Sequence, residues 1–161
     1  INVEGRKNWV LMVGEDNVTT NDVVNNLGVM PKEEAIIQLF SLSNGSHFTN
    51  VSNNKLARLS FTYPKEEFID ITSNAVINFR NKYKQKYYSD PTKYAIKGFD
   101  VTYDVLMRLA SGNTLKHTFK EGISFRVENK FDYNNKPFGS TSNQGLFIVK
   151  YNYDLSLSRL R

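Results

Sequence analysis

The chain has 161 residues, of which 40% are hydrophobic and 13% aromatic, so it is long and apolar enough to bury a core and is not a disordered tail. It has no cysteine, which excludes disulfides, thiolate metal sites and a cysteine nucleophile, and its two histidines, His47 and His117, leave no multi-histidine metal centre. The net charge is +5, and residues 80–97 carry all of that excess: Arg80, Lys82, Lys84, Lys86, Lys93 and Lys97 against Asp90. No window is apolar enough for a membrane span. The chain opens on Ile1 rather than Met, which predicts a processed chain or a piece of a longer one.

In chain order, the apolar run 9–13 reads as a buried strand followed by the polar loop Gly14-Glu15-Asp16-Asn17. A helix is expected over 19–27, with Gly28 as its stop. A second apolar run at 35–40 leads into the polar loop 41–46. A helical turn near 51–57 precedes a third strand at 59–63, stopped by Pro64. Strand, helix, strand, helix, strand with short connections is the pattern of a parallel sheet built from βαβ units. Two longer helices follow, at 73–88 and 92–110, with Asp90-Pro91 opening the second. Val76, Phe79, Tyr83 and Tyr87 form a core-facing stripe on the first; Ile96, Phe99, Tyr103, Leu106 and Ala110 form one on the second. Strand pieces are expected at 123–127 and 130–133, turns at 134–137 and 139–145, and a strong final strand at 146–153.

Few residues spell out chemistry. Asp100 and Asp104, one helical turn apart, read either as a paired-carboxylate site or as acids with local partners in Lys97 and Arg108, and the spacing favours the partners. Glu33, Glu34, Glu66 and Glu67 read as first-turn or loop acids. The sequons at Asn17, Asn44 and Asn50 are what the Asn-rich composition gives by chance. No phosphate loop, nucleophile elbow or paired-histidine motif occurs, so no enzyme and no cofactor are expected. Loops after parallel strands are where open α/β sheets hold ligands. The candidates are therefore Glu15, Asp16 and Asn17 after the first strand, and Ser41, Ser43 and Asn44 after the second, with His47 beside them. The basic run 80–97 is compatible with nucleic acid, but the helical period turns its tyrosines toward the core, so no nucleic-acid partner is expected.

The segment 61–110 contains Phe61-Thr62-Tyr63-Pro64, then Phe79-Arg80-x-x-Tyr83-x-x-x-Tyr87, then Pro91, Gly98-Phe99-Asp100-Val101-Thr102-Tyr103-Asp104 and Leu109-Ala110. This ordered set resembles the C-terminal half of type I periplasmic binding proteins, the receptor family ligand-binding region of branched-chain amino acid receptors. It is nearest the versions in LysM-associated envelope proteins of the Bacteroidetes type. The resemblance implies an α/β lobe of a two-lobed, non-enzymatic solute receptor outside the cytoplasm, closing on a small polar ligand. It also implies a hinge or cleft wall at Tyr63, and a second-lobe sheet made of 1–64 and 118–161. The helical segment 65–117 would pack on a first lobe that this chain lacks. Without that lobe the two apolar stripes are expected to fold back or to pair in a homodimer. The alternatives are a protein- or glycan-interaction module of the same fold and, behind it, a basic nucleic-acid-binding domain.

Overall fold

In a computed structural model the described residues are 7–31, 35–112, 114–133 and 141–160. Glu33, Glu34 and the turn expected at 134–137 lie outside them. The fold is α/β and divides into two compact units: residues 1–65 with 147–161, and residues 66–146.

The first unit is a five-stranded sheet with strand order β1-β2-β3-β6-β7. Its strands are β1 (Lys7–Met12), β2 (Ile36–Ser41), β3 (Thr62–Lys65), β6 (Phe147–Tyr151) and β7 (Leu157–Arg159). The first three run parallel, β6 is antiparallel to β3, and β7 is antiparallel to β6. The expected βαβ succession is present, with α1 (Asn17–Val29) and α2 (Asn53–Arg58) as its helices. They cover one face, where Val24, Leu39, Leu56, Phe61 and Val149 are buried. The α1 residue Thr20 sets its hydroxyl 3.4 Å from the Met12 sulfur.

Four sequence expectations are corrected in this unit. The run at β1 is not a buried strand: Trp9 is 74% and Leu11 60% exposed, because β1 is an edge strand and no helix of its unit covers that face. Gly28 does not stop α1 but lies within it. A Cβ there would come within 3.0 Å of the Lys55 stem, which crosses the helix at that point. Residues 59–61 are not yet strand, and Pro64 does not end β3 but pairs with Ile148. The Phe61 carbonyl accepts from Tyr151 N–H, so alternate residues put Pro64 on the β2 side. Pairing with β2 is confined to Phe40 and Thr62, so the missing proline donor faces no strand.

The second unit holds the two long helices, α3 (Asn74–Tyr87) and α4 (Lys93–Ser111), then α5 (Leu115–Thr118) and a two-stranded pair, β4 (Ser124–Phe125) and β5 (Lys130–Phe131). Thr92 rather than Asp90 caps α4, its hydroxyl accepting from Ala95 N–H at 3.2 Å, and Pro91 is buried before it. Val76, Ile96 and Val127 form the small apolar core, with Ile69 and Phe79 against it.

The buried stripe of α4 is not the expected one. It is Ile96, Asp100, Asp104 and Arg108, while Phe99, Tyr103 and Leu106 are exposed. Asp100 does not pair with Lys97, which instead binds Glu67 at 2.7 Å. Its carboxylate accepts from the backbone N–H groups of Val127 (2.9 Å), Glu128 (2.9 Å) and Asn129 (3.0 Å), and from the Asn129 amide (2.9 Å). Asp104 does pair with Arg108, at 2.8 Å, and also with Arg126 at 2.8 Å and the Ser124 hydroxyl. Arg108 donates onward to the carbonyls of Thr118 (3.0 Å) and Gly122 (3.3 Å). Two buried carboxylates thus fasten residues 118–129 to α4. Residues 118–146, which the resemblance groups with the sheet, lie in one compact unit with the helices.

Candidate functional site

Met12 and Ser41 are register partners at the carboxyl ends of β1 and β2. Phe40 pairs with Thr62, so the next residue, Ser41, lies beside Tyr63 on β3. β1 and β2 therefore end side by side, with Tyr63 of β3 next to Ser41, and both polar loops leave from the same edge of the sheet.

Glu15 is exposed in the first loop. Asp16 is the N-cap of α1, its carboxylate accepting from Thr19 N–H at 2.7 Å. Those Thr19 hydrogen bonds hold the Asp16 carboxyl below its ordinary range. Asn17 is the first helical residue, and its carbonyl accepts from the Asn21 side chain at 3.0 Å. The capping role was readable as Asp three residues before Thr19 at a strand–helix junction, a pattern that the loop reading of Asp16 passed over.

Ser41 is buried at the end of β2, and its hydroxyl accepts from Ser43 N–H at 3.4 Å. Ser43 is half-buried and Asn44 exposed. Tyr63 is buried in the sheet unit, stacked 5.1 Å from Phe61. Burial pushes its phenol above the ordinary range, and a hydrogen bond with the Asn44 side chain pulls the other way. Ser41, Asn44 and Tyr63 are therefore brought together, from two separate stretches of chain.

His47, set by the sequence beside the loop candidates, is buried at 4% exposure in the short 3-10 turn Ser46–Phe48. Its ring packs 4.6 Å from Phe48, which continues to Phe61 at 4.5 Å. Among the described residues its Nε2 has no hydrogen-bond partner. Gly45 makes room for it: a Cβ there would stand 3.2 Å from the imidazole. No periodicity in a polar loop announces a buried ring, so this residue was legible only from structure.

The second unit carries a groove of about 790 Å³ between α3 and α4, lined among others by Phe79, Tyr83, Tyr87, Phe99 and Tyr103. Tyr83 and Tyr87, expected to face the core, instead line this open surface; Tyr87 is 54% exposed. Asp100 and Asp104 are not a metal site: their oxygens are taken by protein donors, and no group of metal-binding residues occurs among the described residues.

No protein-family model matches the chain, and no curated protein matches it. Among solved structures it is similar to the branched-chain amino acid transporter substrate binding protein LivJ from Streptococcus pneumoniae, in complex with isoleucine. The two are 11% identical with a TM-score of 0.41, over 94% of this chain. The chain spans 44% of that protein. No helix among the described residues is long and apolar enough to cross a membrane.

Proposed function

We propose that this chain is a non-enzymatic ligand-binding domain of the solute-receptor type, taking a small polar ligand at the carboxyl edge of its parallel strands. One observation carries the reading: Met12 and Ser41 end β1 and β2 side by side, with Tyr63 of β3 next to Ser41, so the 14–17 and 41–44 loops leave from one edge of the sheet. In open α/β sheets that edge is the usual ligand edge. Glu15 and Asn44 supply exposed polar groups there, and Ser41 and Tyr63 form the floor. The resemblance of 61–110 to type I periplasmic binding proteins supports the same reading and, with it, an extracytoplasmic location and a companion lobe. The same resemblance implies a hinge or cleft wall at Tyr63.

The experiment is an NMR titration of the chain with free amino acids, one at a time. Amide shifts clustered at residues 14–17, 41–47 and 63 are the expected result. Shifts confined to 75–87 and 95–103, or none at millimolar amino acid, overturn it.

A second reading has its own observation. Trp9, Leu11 and Ile148 expose a bare apolar sheet face, the kind of surface that marks a protein-interaction module. Changing Trp9 to Ser should abolish capture of a companion lobe or protein partner and leave the amino-acid titration unchanged.

A further inference from the structure

The groove between α3 and α4 is built by two matched stripes. Phe79, Tyr83 and Tyr87 recur every fourth residue on α3, and Ala95, Phe99 and Tyr103 do so on α4. From Ala75 to Tyr87 the α3 wall is about 18 Å long at 1.5 Å per residue. The charged side chains that line it are all cationic: Lys82, Lys86 and Arg126. Outside the lining, Lys84 pairs with Asp90 at 3.7 Å and Lys97 with Glu67 at 2.7 Å.

We infer that this groove docks an acidic amphipathic helix of a partner protein. Stripes at i, i+4 and i+8 on two walls make the trough into which a third helix sets its apolar face, and Lys82 and Lys86 select acids beside that face, while Arg126 is held by Asp104 at 2.8 Å. This surface is independent of the strand-edge site, which lies wholly in the other unit. A second copy of the chain fits less well, because pairing groove to groove would set Lys82 and Lys86 against their own kind. A single-stranded nucleic acid also fits less well, because it needs open ring faces. Here Phe79 packs on Phe99 at 4.6 Å and Tyr83 on Tyr87 at 4.6 Å, and the Arg126 guanidinium covers Tyr103 at 5.2 Å.

The test is fluorescence anisotropy of the 161-residue chain with three labelled probes. One is a designed helix of about four turns with Leu at i, i+3, i+4 and i+7 and Glu at its flanks. The second has Lys in place of every Glu, and the third is oligothymidylate. The acidic helix should bind at least about tenfold more tightly than the basic one, with the preference weakening as salt rises. The double change Lys82→Glu with Lys86→Glu should remove that preference, and Tyr87→Ser should weaken the acidic helix alone, with far-ultraviolet circular dichroism unchanged in both. Equal binding of the two helices, tighter binding of oligothymidylate, no binding of the acidic helix at millimolar concentration, or indifference to both variants overturns the inference.

Discussion

Asp100 and Asn129 are joined twice. Oδ2 of the buried carboxylate accepts from the Asn129 backbone N–H at 3.0 Å and from its side-chain amide at 2.9 Å. With Val127 and Glu128 added, one carboxylate with no exposed surface answers three successive backbone donors of a segment distant in sequence. Asp100→Ala orphans all three inside the protein. It should lower the stability of the second unit by about 3–5 kcal/mol, the scale of an uncompensated buried partner. Asp100→Asn keeps one acceptor and sets a donor against donors, and should cost about 2–3 kcal/mol. Urea unfolding followed by near-ultraviolet circular dichroism measures both. An Asn variant as stable as the parent would show that the backbone amides do not depend on the charge.

The neighbouring acids give opposite pH dependences. Burial acts to raise the Asp104 carboxyl, but the Ser124 and Arg108 hydrogen bonds and the charges of Arg108 and Arg126 outweigh it and hold it below its ordinary range. Its contribution is fully present above the ordinary aspartate range and is lost as pH falls through the depressed folded value. Glu128 is raised, by burial first and then by the charges of Glu67 and Asp100. Its contribution is present below the ordinary glutamate range and is lost as pH rises through the raised folded value. Its Oε1 has no hydrogen-bond partner among the described residues. Glu128→Gln should therefore gain on the parent as pH goes from about 4 to about 7, while the deficit of Asp104→Asn should shrink as pH falls below about 4. Urea midpoints across that range read both slopes. Parallel curves for parent and Glu128→Gln would count against the buried, raised carboxyl.

Much of the backbone plan was legible because it rests on local signals. The order of β1, α1, β2 and α2 follows from short apolar runs broken by polar loops, and α3 and α4 lie within about two residues of their expected ends. α3 follows Ser73, and α4 opens under the Thr92 hydroxyl cap and ends at Gly112, residues adjacent to the ends they mark. What failed depended on distant partners. Hydrophobic periodicity places Phe99 and Tyr103 inside and Asp100 and Asp104 outside, because a carboxylate counts as polar in any pattern. Burial of Asp100 rests on the amides of 127–129, and burial of Asp104 rests on Arg126 and Ser124 as well as on its neighbour Arg108; all but Arg108 are distant in sequence. The displaced aromatic stripe then became the wall of the groove. The place of Glu15, Ser41 and Asn44 at the strand edge was readable because it depends only on strand order. His47 was missed because its burial depends on the Gly45 vacancy and the Phe48 ring.

Gly145 is fixed by close backbone approach. A Cβ there would stand 2.1 Å from the Lys130 carbonyl oxygen and 2.6 Å from its carbon, so the obstruction is backbone and not a side chain able to swing aside. The same spot is tied by Asn143, whose Oδ1 accepts from Gly145 N–H and Asp132 N–H while its amide donates to the Lys130 carbonyl. Gly145→Ala should destabilise by about 1–3 kcal/mol, the range for forcing extra volume into a packed site. Gly98→Ala, in α4 with open space at its Cβ, should be neutral or stabilising by up to about 1 kcal/mol. Thermal melts of the pair measure the contrast. A neutral Gly145→Ala would show that the 145 backbone does not lie against Lys130.

Asp16 separates fold from function at the proposed site. Its carboxylate caps α1 through Thr19 N–H, and those hydrogen bonds depress its pKa, so the cap is at full strength above the ordinary aspartate range and fades as pH falls through the lowered value. Asp16→Ala removes both the cap and the charge and should lower the thermal midpoint by a few degrees. Asp16→Ser keeps a capping oxygen and removes only the charge. If the 14–17 loop meets a small polar ligand, the Ser variant should melt close to the parent yet bind the responding amino acid several-fold more weakly. Asn44→Ala, across the same edge beside Tyr63, should weaken binding to a similar degree. Changes at two loops that share only the sheet edge would then converge on one ligand. Full affinity in Asp16→Ser together with Asn44→Ala would leave those loops with a structural role alone.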